Sequence, residues 1–160
     1  EGRSLEQKDG MDLALYVLEK DKMELQYSGA YNPLYLIRSG EKPDNAGTQD
    51  YRTVERNDHT LLEIRANWQP IGIFDEEQPF TTHFVKLTKD DVIYTFSDGF
   101  IDQKGGPENK KFMSKAFKEL LLDIHCLPMP EQQRVLDRTI EKWKGGNEQT
   151  DDILVIGVRI

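Results

Sequence analysis

Val92-Ile93-Tyr94-Thr95-Phe96-Ser97-Asp98-Gly99-Phe100-Ile101-Asp102 carries five β-favouring residues straight into a serine, a carboxylate and a glycine. The run predicts a strand, headed by Asp91, that ends where Ser97 begins. A second stretch reverses the order. In Gln149-Thr150-Asp151-Asp152-Ile153-Leu154-Val155-Ile156-Gly157-Val158 an acidic pair enters an apolar run. That run lacks polar alternation, so it predicts an interior strand covered on both faces. If the two strands lie antiparallel in one sheet, the end of the first and the start of the second share an edge. Asp98 and Asp151 then meet there. Two carboxylates with no Lys or Arg within a few residues repel unless a cation lies between them. Hard oxygen donors favour Mg²⁺ or Mn²⁺ over zinc. Gly99 lets the backbone turn sharply toward such an ion. Spacing alone leaves a plainer reading open, with Asp98-Gly99 as a turn and Asp151-Asp152 as a solvated strand entry.

Upstream, Met11 to Leu18 predicts a largely buried strand and Met23-Glu24-Leu25-Gln26-Tyr27 a half-buried one. The short gap between them implies a hairpin. Pro33 to Arg38 gives a third strand, Thr60 to Arg65 a short fourth, and Phe80 to Leu87 a fifth before the run that opens at Asp91. Ser39 to Asp50, with Gly40, Pro43, Asp44, Asn45 and Gly47, has loop chemistry, and Pro70-Ile71-Gly72 makes a bend. Downstream, Met113, Phe117, Leu120, Leu121 and Ile124 form one apolar helical face. Pro128 and Pro130 separate it from a second helix whose apolar face is Val135, Leu136, Ile140 and Trp143, ended by Gly145-Gly146. The fold class is therefore α+β with a mostly antiparallel sheet.

Length and composition bound the rest. The 160 residues, 37% hydrophobic and 9% aromatic, suffice for one domain with a core. A net charge of -8 and a pI near 4.9 argue against nucleic acid as a partner. No stretch reaches the ~20 apolar residues that span a bilayer, and no secretory leader is legible. The single Cys126 reads as a reduced thiol, which points to a cytoplasmic protein. His59, His83 and His125 read as isolated from one another, with His83 an exposed ring on an alternating strand. Ser97 and Ser114 have no neighbouring histidine base, so nucleophilic catalysis is not indicated. Lys104, Lys110 and Lys111 flank a Gly-rich loop, either to steer a phosphorylated partner or as a solvated surface. The first residue is Glu1, and Glu1 to Asp9 is polar and aperiodic, so the chain reads as a cut inside a longer polypeptide.

The motif at 92–102 resembles the one preceding the helical segment of SpoIIE-like phosphatases, a bacterial branch of the type-2C metal-dependent (PPM) serine/threonine phosphatases. Gln149 to Val155 resembles that family's closing motif. Lys8 to Leu15, then Tyr27-Ser28-Gly29-Ala30-Tyr31-Asn32-Pro33-Leu34, resembles the hairpin between its early and late metal motifs. Gly105-Gly106-Pro107 through Phe112-Met113-Ser114 extends the likeness. The nearest resemblance is to phosphatase modules of bacterial sensor proteins related to RsbU.

The resemblance implies a partial α-β-β-α sandwich, with residues 1–160 as one N-terminally truncated domain. It implies Asp98 and Asp151 as metal ligands, Asp102 as a carboxylate for a further, weaker metal or else a surface group, and Asp152 and Gly99 in support. Asp12 supports the site or is simply solvated at a strand edge. Two Mg²⁺ or Mn²⁺ ions would serve hydrolysis of phosphoserine or phosphothreonine on a protein of the anti-sigma-factor-antagonist type, under an upstream sensor domain. The location implied is the cytoplasm, or the cytoplasmic side of a membrane-anchored sensor. The family's first metal-binding Asp and its Gly-His-Gly-like motif precede the hairpin and are not in this sequence, so the chain alone is expected to be inactive. No residue here is assigned a catalytic role beyond metal binding. The rival class is a non-catalytic regulatory or dimerising module, and core surface left uncovered by the missing half would favour a homodimer.

Overall fold

The computed structural model describes residues 10–40, 51–73 and 77–160. The polar opening expected over 1–9 and the loop expected over 41–50 lie outside them. In chain order the strands are β1 (Gly10–Met11), β2 (Leu13–Glu19), β3 (Glu24–Ala30), β4 (Leu34–Ser39), β5 (Tyr51–Arg56), β6 (His59–Ile64), β7 (Ile71–Gly72), β8 (His83–Lys86), β9 (Val92–Phe96), β10 (Lys104–Gly105), β11 (Lys110–Lys111) and β12 (Val155–Arg159). The helices are a single turn, α1 (Gly99–Asp102), then α2 (Ser114–Ile124) and α3 (Met129–Lys144).

Two antiparallel sheets carry the molecule. One has three strands in the order β2-β3-β8, and the other has five in the order β12-β9-β4-β6-β5. The expected hairpin is present, running from Leu13 opposite Ala30 to Glu19 opposite Glu24. β5, like the two-residue strands β10 and β11, has no counterpart in the sequence reading. Tyr51 to Arg56 is largely polar and exposed, so it offers almost no hydrophobic period. Its pairing is set instead by Asn57 and Asp58, which take φ of 47° and 58° in a two-residue hairpin turn.

Side-chain alternation in the central strands builds three layers. Tyr35 and Ile37 of β4, Leu61 of β6, and Val92, Tyr94 and Phe96 of β9 pack under Phe117, Leu121 and Ile140 of the helices. The opposite face presents Leu34, Leu36, Leu62, Ile64 and Ile93, which pack on Leu25, Tyr27 and Val85 of the smaller sheet. A buried ion pair ties the two sheets together. The Arg38 guanidinium donates from Nε and Nη2 to both carboxylate oxygens of Asp91, at 2.9 and 2.6 Å, and from Nη2 to the Lys86 carbonyl at 2.8 Å. Thr88 closes the cluster, donating its N–H to Asp91 Oδ2 and its hydroxyl to Oδ1.

Four expectations need correction. β12 is an edge strand, not an interior one, and Leu154 and Ile156 stand exposed because the smaller sheet covers Ile93 but does not reach over them. β2 is not largely buried: its outer face turns Leu15 and Val17 to the surface, more than half exposed. His83 is buried, stacked on Tyr27 with ring centroids 5.8 Å apart, because it lies on the face of β8 turned toward the other sheet. Along α3 only Ile140 of the expected apolar face is fully buried, and Val135, Leu136 and Trp143 are partly exposed. That helix stands off the sheet and leaves a groove of about 790 Å³ lined by Leu136, Ile140, Ile153 and Val155.

Candidate metal centre

The two acidic motifs do share an edge. β9 and β12 run antiparallel with Phe96 opposite Val155, so Asp98 lies just past the end of one and Asp151 just before the start of the other. Ser97 locks the junction. Its N–H donates to the Leu154 carbonyl at 3.0 Å, its hydroxyl donates to the Asp152 carbonyl at 2.6 Å, and the same oxygen accepts the Leu154 N–H at 2.9 Å. Sequence reading passed over Ser97 as anything but a failed nucleophile. Its position between a strand end and an acidic residue was the available signal.

Gly99 is needed for a different reason from the one expected. A side chain there would place its Cβ 2.3 Å from the Asp152 carbonyl oxygen, so the glycine is required by close approach of two backbones. That approach holds the β9 end against the strand carrying Asp151 and Asp152. α1 starts at Gly99, and the Asp98 side chain makes no capping hydrogen bond to it.

Electrostatics record the convergence. The Asp98 carboxyl is held above its ordinary value, first by partial burial, then by the negative charges of Asp151, Asp102 and Asp12. Three carboxylates from separate regions of the chain thus bear on Asp98. Asp12 is exposed at the entry to β2. Asp102, at the end of α1, is paired with Lys111 of β11 at 2.6 Å, with both groups substantially exposed. Asp151 accepts the Asp152 N–H through Oδ1 at 2.7 Å, and Gln149 donates to its carbonyl at 2.8 Å. Repulsion of Asp98 by its acidic neighbours is the condition a divalent cation relieves, and all-oxygen donors are of the chemistry that suits a hard ion. Of the lysines, Lys111 is engaged with Asp102 and Lys110 with Glu108.

One expectation about the histidines fails. His59 and His125 are in contact, ring centroids 4.2 Å apart, and Cys126 lies against His125. Sequence separation concealed this, because the β5–β6 turn folds onto the end of α2.

The family model for stage II sporulation protein E (SpoIIE) matches residues 3–160. Among solved structures, the SiaA-PP2C domain of Pseudomonas aeruginosa is similar at 26% identity and a TM-score of 0.74, covering 93% of this chain and 51% of that one. The phosphatase domain of the cell fate determinant SpoIIE from Bacillus subtilis matches at 16% identity, with a TM-score of 0.54, over 93% of this chain and 58% of that one. Its Mn-presoaked form matches at 17% identity with a TM-score of 0.56, covering 56% of that chain. The chain thus spans about half the length of the solved domains it resembles. No curated protein matches it.

Proposed function

The chain belongs to the SpoIIE family, and from that premise we propose that it is part of a metal-dependent phosphoserine/phosphothreonine protein phosphatase domain. One observation carries the reading beyond family membership. The ends of β9 and β12 bring Asp98 and Asp151 to one edge, where Asp98 feels Asp151, Asp102 and Asp12. Two Mg²⁺ or Mn²⁺ ions bound at such an edge supply a water of lowered pKa and charge stabilisation for the phosphoryl oxygens. Asp98 and Asp151 hold the metal, Asp102 is the carboxylate for a weaker one, and Gly99, Ser97 and Asp152 fix the spacing of the two motifs. The substrate proposed is a phosphorylated protein of the anti-sigma-factor-antagonist type, met in the cytoplasm under control of a sensor domain in the same polypeptide. Residues 1–160 are proposed as one segment of the catalytic domain, inactive alone because it supplies only some of the metal ligands.

The test compares this chain with a polypeptide extended upstream through the rest of the domain. The extended protein should hydrolyse a phosphoserine protein with Mn²⁺, and this chain should not rise above background. Asp98→Asn and Asp151→Asn should each abolish turnover while leaving the fold intact. Full rate in both variants, or an inactive extended protein, would remove the enzyme reading. A second reading, a regulatory or dimerising module without turnover, draws on Leu15, Val17 and Phe84, which form an exposed apolar outer face on the smaller sheet.

A further inference from the structure

At the opposite end of the five-stranded sheet, His59, His125 and Cys126 bring one ligating atom each within 4.8 Å of one another. We propose that this trio is a second metal site, for one zinc-class divalent ion held by two imidazoles and a thiolate. It is separate from the carboxylate edge. His59 pairs with Ser39 at the end of β4, and Arg159, beside His125, pairs with Val92, the far end of β9 from Asp98.

The donor chemistry sets the ion. Nitrogen and sulfur ligands select zinc-class metals and leave Mg²⁺ and Mn²⁺ to oxygen. Both rings are already oriented as ligands require. His125 Nδ1 lies 2.8 Å from the Leu122 carbonyl, which can only accept, so the proton sits on Nδ1 and the Nε2 lone pair is free. That Nε2 lies 3.2 Å from Cys126 Sγ. His59 Nδ1 lies 2.9 Å from the Ser39 hydroxyl, which can accept from an Nδ1–H in the tautomer whose Nε2 is open to a metal. Zn–N and Zn–S bonds at a tetrahedral angle place nitrogen and sulfur about 3.6 Å apart. Cys126 is exposed, so its thiolate can swing out by the few tenths of an ångström required. Its exposure also leaves the fourth position open to water or an incoming group.

The surrounding charges are mixed. Arg159 donates to the His125 and Leu127 carbonyls, and its charge opposes a cation. Arg56, across the hairpin from His59, is paired with Asp123 at 3.2 Å. A thiolate offsets the cost that Arg159 imposes. The alternative use of the pair, as a nucleophilic thiolate–imidazolium, fits less well. His125 is buried and its Nδ1 faces the Leu122 carbonyl, which leaves a ring with Nε2 turned to the thiol as a metal takes it. Binding would pin the β5–β6 hairpin to the corner between α2 and α3.

The test uses the 160-residue chain and metal alone, and does not depend on phosphatase activity. Co²⁺ at one equivalent should give a thiolate-to-metal charge-transfer band with tetrahedral visible bands, and Zn²⁺ should displace it. Cys126→Ser should abolish the charge-transfer band, and His59→Gln should weaken Zn²⁺ more than about tenfold, both judged on variants with unchanged circular dichroism. Asp98→Asn should leave the spectrum intact. Absence of the band, unchanged Zn²⁺ affinity in both trio variants, or loss of binding in Asp98→Asn would each overturn the site.

Discussion

Asp98 is the residue on which most rests, and its position makes the metal-free fold less comfortable at neutral pH. A carboxyl held above its ordinary value is better tolerated protonated, so its contribution to stability is present in acid and lost as pH rises through the folded value. Asp98→Asn, which cannot ionise, should therefore raise the Tm of chelator-treated protein at neutral pH, and the difference should close on acidification. The gain should be about 0.5 kcal/mol or less, because the group is exposed and screened. Thermal melts across pH measure it, and a lower Tm for the variant at neutral pH would show that the acidic cluster is not repulsive. Near this residue the sequence was highly legible: an apolar run ending in Ser-Asp-Gly states where a strand stops and a carboxylate begins. It could not show that Gly99 is required by the Asp152 carbonyl, because that contact joins residues 53 positions apart.

Elements hold through two unlike devices. Phe117 is fully buried where α2 meets β4, β9 and α1, with ring contacts to Tyr35, Phe96 and Phe100. Phe117→Ala should cost about 3–5 kcal/mol in denaturant unfolding, and a loss under ~1 kcal/mol would mean that α2 is not anchored through this ring. Trp143 stands on the apolar face expected of α3. It is partly exposed, and it acts through polar contacts as well as packing. Its indole N–H donates to the Gln103 carbonyl at 3.0 Å, and its own carbonyl accepts the Gly106 N–H at 2.8 Å. The second device is Arg38–Asp91. Asp91→Ala would leave a buried guanidinium without its carboxylate between the two sheets, and should cost about 3–5 kcal/mol by the same measurement. A near-neutral result would show that water replaces the pair. The sequence offered Asp91 only as the head of a strand.

At the scale of the molecule, among the described residues two packed sheets and one helical layer leave the outer face of the smaller sheet uncovered. Leu15, Val17 and Phe84 are each more than half exposed there, and Val17 aligns with Phe84 through Gln26. The isolated chain should self-associate through this face, and Val17→Lys should shift its sedimentation toward monomer. A wild-type chain that stays monomeric across concentrations would remove the dimeric reading. Among the described residues no helix is long and apolar enough to cross a membrane.

By itself the sequence determined the α+β class, the two helices, the pairing of an acidic motif with each of two strands, and the family. Each of these is written in neighbouring residues, as a period, a turn or a motif. Tertiary structure alone decided what depends on distance through space. It set β12 at an edge, buried His83, stood α3 off the sheet, paired Arg38 with Asp91, and closed His59 on His125 and Cys126. The physical reason is common to all of these. Local pattern fixes which face of an element is apolar, but what that face meets depends on which other elements fold against it, and there the local sequence carries no signal.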